Sequence, residues 1–133
     1  MYSKLIFSLA LILFLVSCGG NAHKGEIELN NGEKWKINAE MMPPLEASEK
    51  LVSTFIANDE KDYQTLAEKL KENNKLLISS CTMKGKSHDE LHKWLHPYIG
   101  LLEELANAKD ESQASQVVLE IEQSFVTFNQ YFQ

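Results

Sequence analysis

Between Cys81 and His96 the sequence gathers a thiol, the Met83 thioether and three of its four histidines, His88, His92 and His96. Histidines four residues apart on a helix lie one turn apart on one face and can grip a single ion. Thiolate and thioether are soft donors that favour Cu(I) or Zn. The predicted metal set is therefore His88 and His92 with Cys81 and Met83, since a turn after Cys81 brings that stretch back to the start of the histidine helix. His96 falls outside it. At about 1.5 Å of rise per residue it lies roughly 12 Å along the axis from His88, and at about 100° per residue it points away from the apolar seam. Pro97 follows and removes an amide bond to the Lys93 carbonyl, which predicts a kink. The competing structural reading makes the histidines a solvated face and Cys81 a small core hydrophobe.

Other chemistries fit the residues less well. Met41 or Met42 with a histidine could ligate a b-type haem, but no Cys-x-x-Cys-His attaches one covalently. A di-iron bundle needs Glu-x-x-His on two helices, whereas Glu90-Leu91-His92 has the wrong spacing. Cys81 with a nearby histidine is a minimal nucleophile and base, yet no orienting third group or oxyanion donor accompanies it. No catalytic residue is assigned, and the chain reads as a non-enzyme. Asp89 and Glu90 read as first-turn charges matching the helix dipole.

These side chains need helices to hold them. Met41, Leu45, Ser48, Val52 and Phe55 follow the four-three spacing of a narrow apolar seam, and Tyr63, Ala67, Leu70, Asn74, Leu77 and Cys81 repeat it. Leu91, Leu95, Tyr98, Leu102 and Leu105 form a third seam. Ala114, Val118, Ile121, Phe125, Phe128 and Phe132 form a fourth. Trp94, Tyr98 and the aromatic end of the fourth helix are expected in the core, and Ser48 and Asn74 could bond each other there. Pro43-Pro44 suits a helix start, Asp59 is the expected cap of the second helix, and Asp110 with Gln113 that of the fourth. Ser87-His88-Asp89-Glu90 spells a capping box for the third. Short links imply antiparallel neighbours, so residues 40–133 are expected to form a mainly all-α, up-down-up-down four-helix bundle. Ahead of it, Glu26-Ile27-Glu28-Leu29 and Lys34-Trp35-Lys36-Ile37 alternate polar and apolar around Asn30-Asn31-Gly32. Residues 26–38 thus read as a β-hairpin or an extended strap.

Composition narrows the partners. The 133-residue chain carries a net charge of −6, and all 13 of its basic residues are lysine. Without the guanidinium fork that reads phosphate and bases, an acidic domain is a poor nucleic-acid binder, and no nucleic acid is expected.

The chain opens with a charged Met1-Tyr2-Ser3-Lys4, followed by an apolar stretch from Leu5 to Val16 broken only by Ser8. That run is shorter than the roughly 20 residues that span a bilayer and reads as an export signal. It ends in Leu15-Val16-Ser17-Cys18, which resembles the lipobox of bacterial lipoproteins. The resemblance implies cleavage after residue 17, diacylglycerol on the Cys18 sulfur and a fatty acid such as palmitate on its new amine. It covers the leader and that cysteine alone. Two or three acyl chains, at roughly 0.8 kcal/mol per buried CH₂, anchor stably to a lipid bilayer. Residues 18–25 would then be the lipidated cysteine and a flexible tether. Gly19-Gly20 in place of Asp favours the outer membrane, facing the periplasm, by analogy with envelope lipoproteins. With Cys18 acylated, Cys81 has no partner within the chain and is open to a metal or an envelope protein partner. The sequence-level function is an anchored soft-metal carrier or sensor, or else a non-catalytic interaction module.

Overall fold

The computed structural model describes residues 25–133; the predicted leader, Cys18 and the tether up to residue 24 lie outside the described residues. A 3₁₀ turn at Ala39–Met41 leads into α1 (Met42–Ala57), and α2 (Tyr63–Ser79), α3 (Gly85–Ala106) and α4 (Glu111–Tyr131) follow. The helices run antiparallel in a ring, α1 against α2 and α4, and α3 against α2 and α4. This is the four-helix arrangement expected from the short links.

Local chemistry sets the helix ends. Pro43 and Pro44 sit in the first turn of α1, where a missing amide proton costs nothing. Asp59 does not cap α2. It takes a left-handed φ of 51° and closes α1, with the Glu60 amide reaching the Phe55 carbonyl at 3.0 Å and the Asp59 amide reaching Ile56 at 3.1 Å. The cap of α2 is Asp62, whose carboxylate accepts from the Thr65 amide at 3.0 Å and the Thr65 hydroxyl at 2.7 Å. Asp110 caps α4 by accepting from the Gln113 amide at 2.8 Å, as expected.

The capping box expected at Ser87 does not form. Gly85, at φ 71°, lets α3 begin two residues before Ser87, and Lys84 stands at the cap with no side-chain bond. Ser87 is then inside the first turn, and Glu90 is rotated inward and buried.

The seams fill the core. Every predicted seam residue of the first, third and fourth helices is buried, as are Ala67, Leu70, Asn74 and Leu77 on α2. Leu66 and Val117 join them and widen the stripe. Trp94 ties α3 to α4: its ring stacks on Tyr98 at 4.8 Å and meets Phe128 edge-on at 4.9 Å. Its indole N–H donates to the Ser124 carbonyl at 2.8 Å. A buried side chain of this size contributes about 1.5–3 kcal/mol.

Ser48 and Asn74 are both buried, but the Asn74 Oδ1 has no hydrogen-bond partner. The Tyr98 hydroxyl is in the same condition. Burial pushes its pKa up to about 12, against a smaller opposing pull from Ser48.

The expected β-hairpin is not there. Its turn is: Asn30 and Glu33 exchange backbone bonds of 2.8 and 3.0 Å around Asn31 and Gly32, both at positive φ, the geometry Asn-Gly favours. The strands beyond it do not pair. Two strands alone bury too little to hold each other, and Trp35 instead inserts into the core beside the C-terminus. Its amide donates to the Tyr131 carbonyl at 2.8 Å, and its carbonyl accepts from Gln133 at 2.9 Å. The Ile37 amide reaches the Gln133 carbonyl at 2.9 Å. Residues 25–38 are a strap laid across one end of the bundle.

Candidate functional site

The first half of α3 carries the candidate residues. Each side chain on a helix leans toward the N-terminus and over the preceding turn, so residues 88, 92 and 96 stack along one face. The His88 and His92 rings have centroids 4.2 Å apart, and those of His92 and His96 are 5.0 Å apart. The His92 Nδ1 stands 3.1 Å from the His96 Nε2. His88 and His92 are half-buried and His96 is exposed. Burial, and then the like charge that His88 and His96 would carry, hold the His92 pKa below the usual histidine value, with Asp89 opposing.

His96 therefore belongs to the same row of rings, although its distance from His88 sets it apart in the sequence. The axial distance from His88 to His96 bears on the two ends of the row only. His92 reaches His96 by the same four-residue step that links it to His88. Pro97 lies inside α3, which runs on to Ala106.

Cys81 and Met83 take another course. Both are partly buried and pack against the core. Among the described residues no group of three or more His, Cys, Asp or Glu is close enough to hold one ion, so Cys81 does not join His88 and His92. Asn38, at the end of the strap, pins the loop that carries it. The Asn38 amide donates to the Ser80 carbonyl at 2.8 Å, and its oxygen accepts from the Thr82 amide at 3.1 Å. One side chain so brackets Cys81 from both sides. Nothing local in the sequence signals a contact to a loop 44 residues away.

Glu90 was missed in a different way. It is 3% exposed, the one charged side chain buried among the described residues. Its carboxylate accepts from the Glu28 amide at 2.9 Å and from the Lys93 ammonium at 2.8 Å, while Lys93 also donates to the Glu26 carbonyl at 3.0 Å. Burial works to raise the Glu90 pKa, but these donors outweigh it and hold the carboxyl below its ordinary value. Glu90 moors the strap rather than serving the helix dipole. Its place four residues before Trp94 on the inner side of α3 was the available signal.

Two open grooves flank the helices. One, of about 790 Å³, runs between α1 and α2 past Lys50, Leu51, Phe55 and Lys69. The other, of about 640 Å³, lies between α3 and α4 beside Ile27, Trp94, Pro97 and Leu101. Neither is lined by a histidine or cysteine. The imidazoles meet solvent on the face of a helix, outside both.

Set against family models, curated proteins and solved structures, the chain matches none of them.

Proposed function

We propose that this protein is a bacterial envelope lipoprotein, cleaved before Cys18, acylated there and held at the outer membrane facing the periplasm. Its four-helix bundle serves as a non-catalytic module that binds and presents rather than transforms. The observation that carries the reading is the run Leu15-Val16-Ser17-Cys18 behind a charged, apolar leader.

The way the chain enters the bundle supports it. A lipid tether transmits force to wherever the chain first meets the folded body. Here that point is reinforced: the Glu26 carbonyl is held by Lys93, the Glu28 amide by Glu90, and the Trp35 backbone by the C-terminus. Among the described residues no helix is long and apolar enough to cross a membrane. The open grooves and the thiol packed on the core fit binding better than a reaction pocket.

Intact-mass spectrometry of protein extracted from the envelope tests this. The expected mass is that of residues 18–133 plus fatty-acyl chains, and Cys18→Ser should leave the leader attached. A mass without acyl chains, or a wild-type chain keeping its leader, overturns the reading.

A further inference from the structure

We propose that His92 and His96 form a two-imidazole chelate for a transition-metal ion of the Cu(II) or Zn(II) class, through His92 Nδ1 and His96 Nε2. The inference goes beyond the anchored-module reading and is independent of it, because an unlipidated chain would keep the same helix face.

The distance carries the argument. Two nitrogens each about 2.0–2.1 Å from one ion at a tetrahedral angle stand about 3.3 Å apart. The two ring nitrogens here are 3.1 Å apart, so an ion needs only a few tenths of an ångström of opening. Between neutral imidazoles that spacing is bridged by a single N–H···N hydrogen bond. On binding, the bridging proton moves to the other nitrogen of its own ring, and both rings turn so that their lone pairs converge on an ion lying off the N···N line. A neutral pair therefore loses no net proton on binding.

The surroundings suit a cation. The Lys93 ammonium, next along the helix, is turned away and held by Glu90 at 2.8 Å. Asp89 is close enough to act on the His92 charge. His88 lies against the far side of His92, its ring centroid at 4.2 Å. There it packs on the ring and fixes its orientation, a positioning role. No third His, Cys, Asp or Glu among the described residues comes within reach of the same ion, and His96 is exposed. The remaining coordination positions open to water or to a donor from outside. This is a site for exchange, unlike a closed structural site with four protein ligands.

The donor set also shifts the preferred metal. The two donors proposed are imidazoles, without the thiolate or thioether that favours Cu(I). Imidazole alone suits Cu(II), Zn(II) and Ni(II), and Cu(II) stands highest among divalent ions for a nitrogen site.

The experiment uses the mature protein purified from membranes in detergent, with no affinity tag, and titrates it with Cu(II) alone and with Zn(II) alone against a competing chelator. One equivalent of Cu(II) is expected, bound more tightly than Zn(II). His92→Ala and His96→Ala should each weaken binding by more than about tenfold, with unchanged far-ultraviolet circular dichroism because both side chains reach the surface. His88→Ala should cause a smaller loss and Cys81→Ser none. Electron paramagnetic resonance of the Cu(II) form should show nitrogen couplings that disappear in His96→Ala. Binding that survives loss of His96 but not of Cys81 overturns the proposal in favour of a thiol-centred site. Binding no tighter than that of a His92→Ala/His96→Ala double variant overturns it outright.

Discussion

The Glu90 carboxylate accepts the backbone amide of Glu28 at 2.9 Å, and this bond joins the strap to α3 across 62 residues of sequence. It is charge-assisted and nearly dry, with Lys93 completing the shell at 2.8 Å. Such a bond is worth more than a neutral one, and its loss leaves the partly buried Glu28 amide with a weaker partner.

Glu90→Gln is expected to keep the shape and lose the charge, costing about 1.5–3 kcal/mol at neutral pH. The folded chain holds the Glu90 pKa below the ordinary 4.5, so its contribution is fully present above that value. It is lost as pH falls through the lower, folded value. Urea unfolding of both proteins should show a gap that is widest at neutral pH and narrows in acid. A gap that grows on acidification contradicts the assignment.

Asn38→Ala removes both bonds that bracket Cys81. The Ser80 carbonyl and Thr82 amide would turn to water, at a cost of about 1–2 kcal/mol, and the loop would loosen around a thiol that now packs on the core. A disulfide reagent added in excess should modify Cys81 faster in the variant than in the wild type. Asn38→Asp should restore the bond to Thr82 but not the one to Ser80, giving an intermediate rate. Equal rates in all three would show that the strap does not control the loop.

Much of this fold was legible, and the reasons are local. Seams such as Ala114, Val118, Ile121, Phe125 and Phe128 follow the helix period closely, and a period needs no knowledge of the partner helix. The Asn31-Gly32 turn was legible for the same reason: it is set by φ values that few residues tolerate. What escaped was decided at long range or by one residue's freedom. The strand that follows the turn could pair with the one before it or with the C-terminus, and Trp35 decided by finding the core there. Gly85 moved the start of α3 by three residues, from a cap at Ser87 to one at Lys84, and Glu90 became a buried anchor instead of a capping charge. At the candidate site the histidine spacing gave the pair of His88 and His92. The same four-residue step also links His92 to His96, a contact that the axial distance from His88 obscured, and Cys81 packs on the core where its place at the end of the second seam puts it.

Trp94→Ala should be the most damaging single truncation in the bundle. The indole fills space among Tyr98, Phe125 and Phe128, and its N–H satisfies the Ser124 carbonyl. Losing a buried ring of this size costs about 3–5 kcal/mol, a large share of what a domain of this length has. Thermal unfolding should show a much lower midpoint, whereas Leu119→Ala, at an exposed α4 position, should change it little. Comparable losses from the two would mean that the α3–α4 aromatic cluster does not organise the core.

Tyr98→Phe is expected to go the other way. The hydroxyl is buried near enough to Ser48 to feel a weak hydrogen-bonding pull on its pKa but makes no hydrogen bond of full geometry, so the folded state forfeits much of the hydration that the unfolded chain retains. Deleting the oxygen leaves the stack on Trp94 at 4.8 Å and the edge contact with Phe125 at 5.4 Å in place. An unsatisfied buried polar group costs about 1–3 kcal/mol, and phenylalanine removes that cost without opening a cavity. Denaturant unfolding should therefore give a midpoint equal to the wild type or higher. A loss of more than about 1 kcal/mol would mean that the hydroxyl is bonded after all, to Ser48 or to an internal water. A Ser48→Ala variant separates those two, since only a direct bond to Ser48 would make the double variant no worse than either single one.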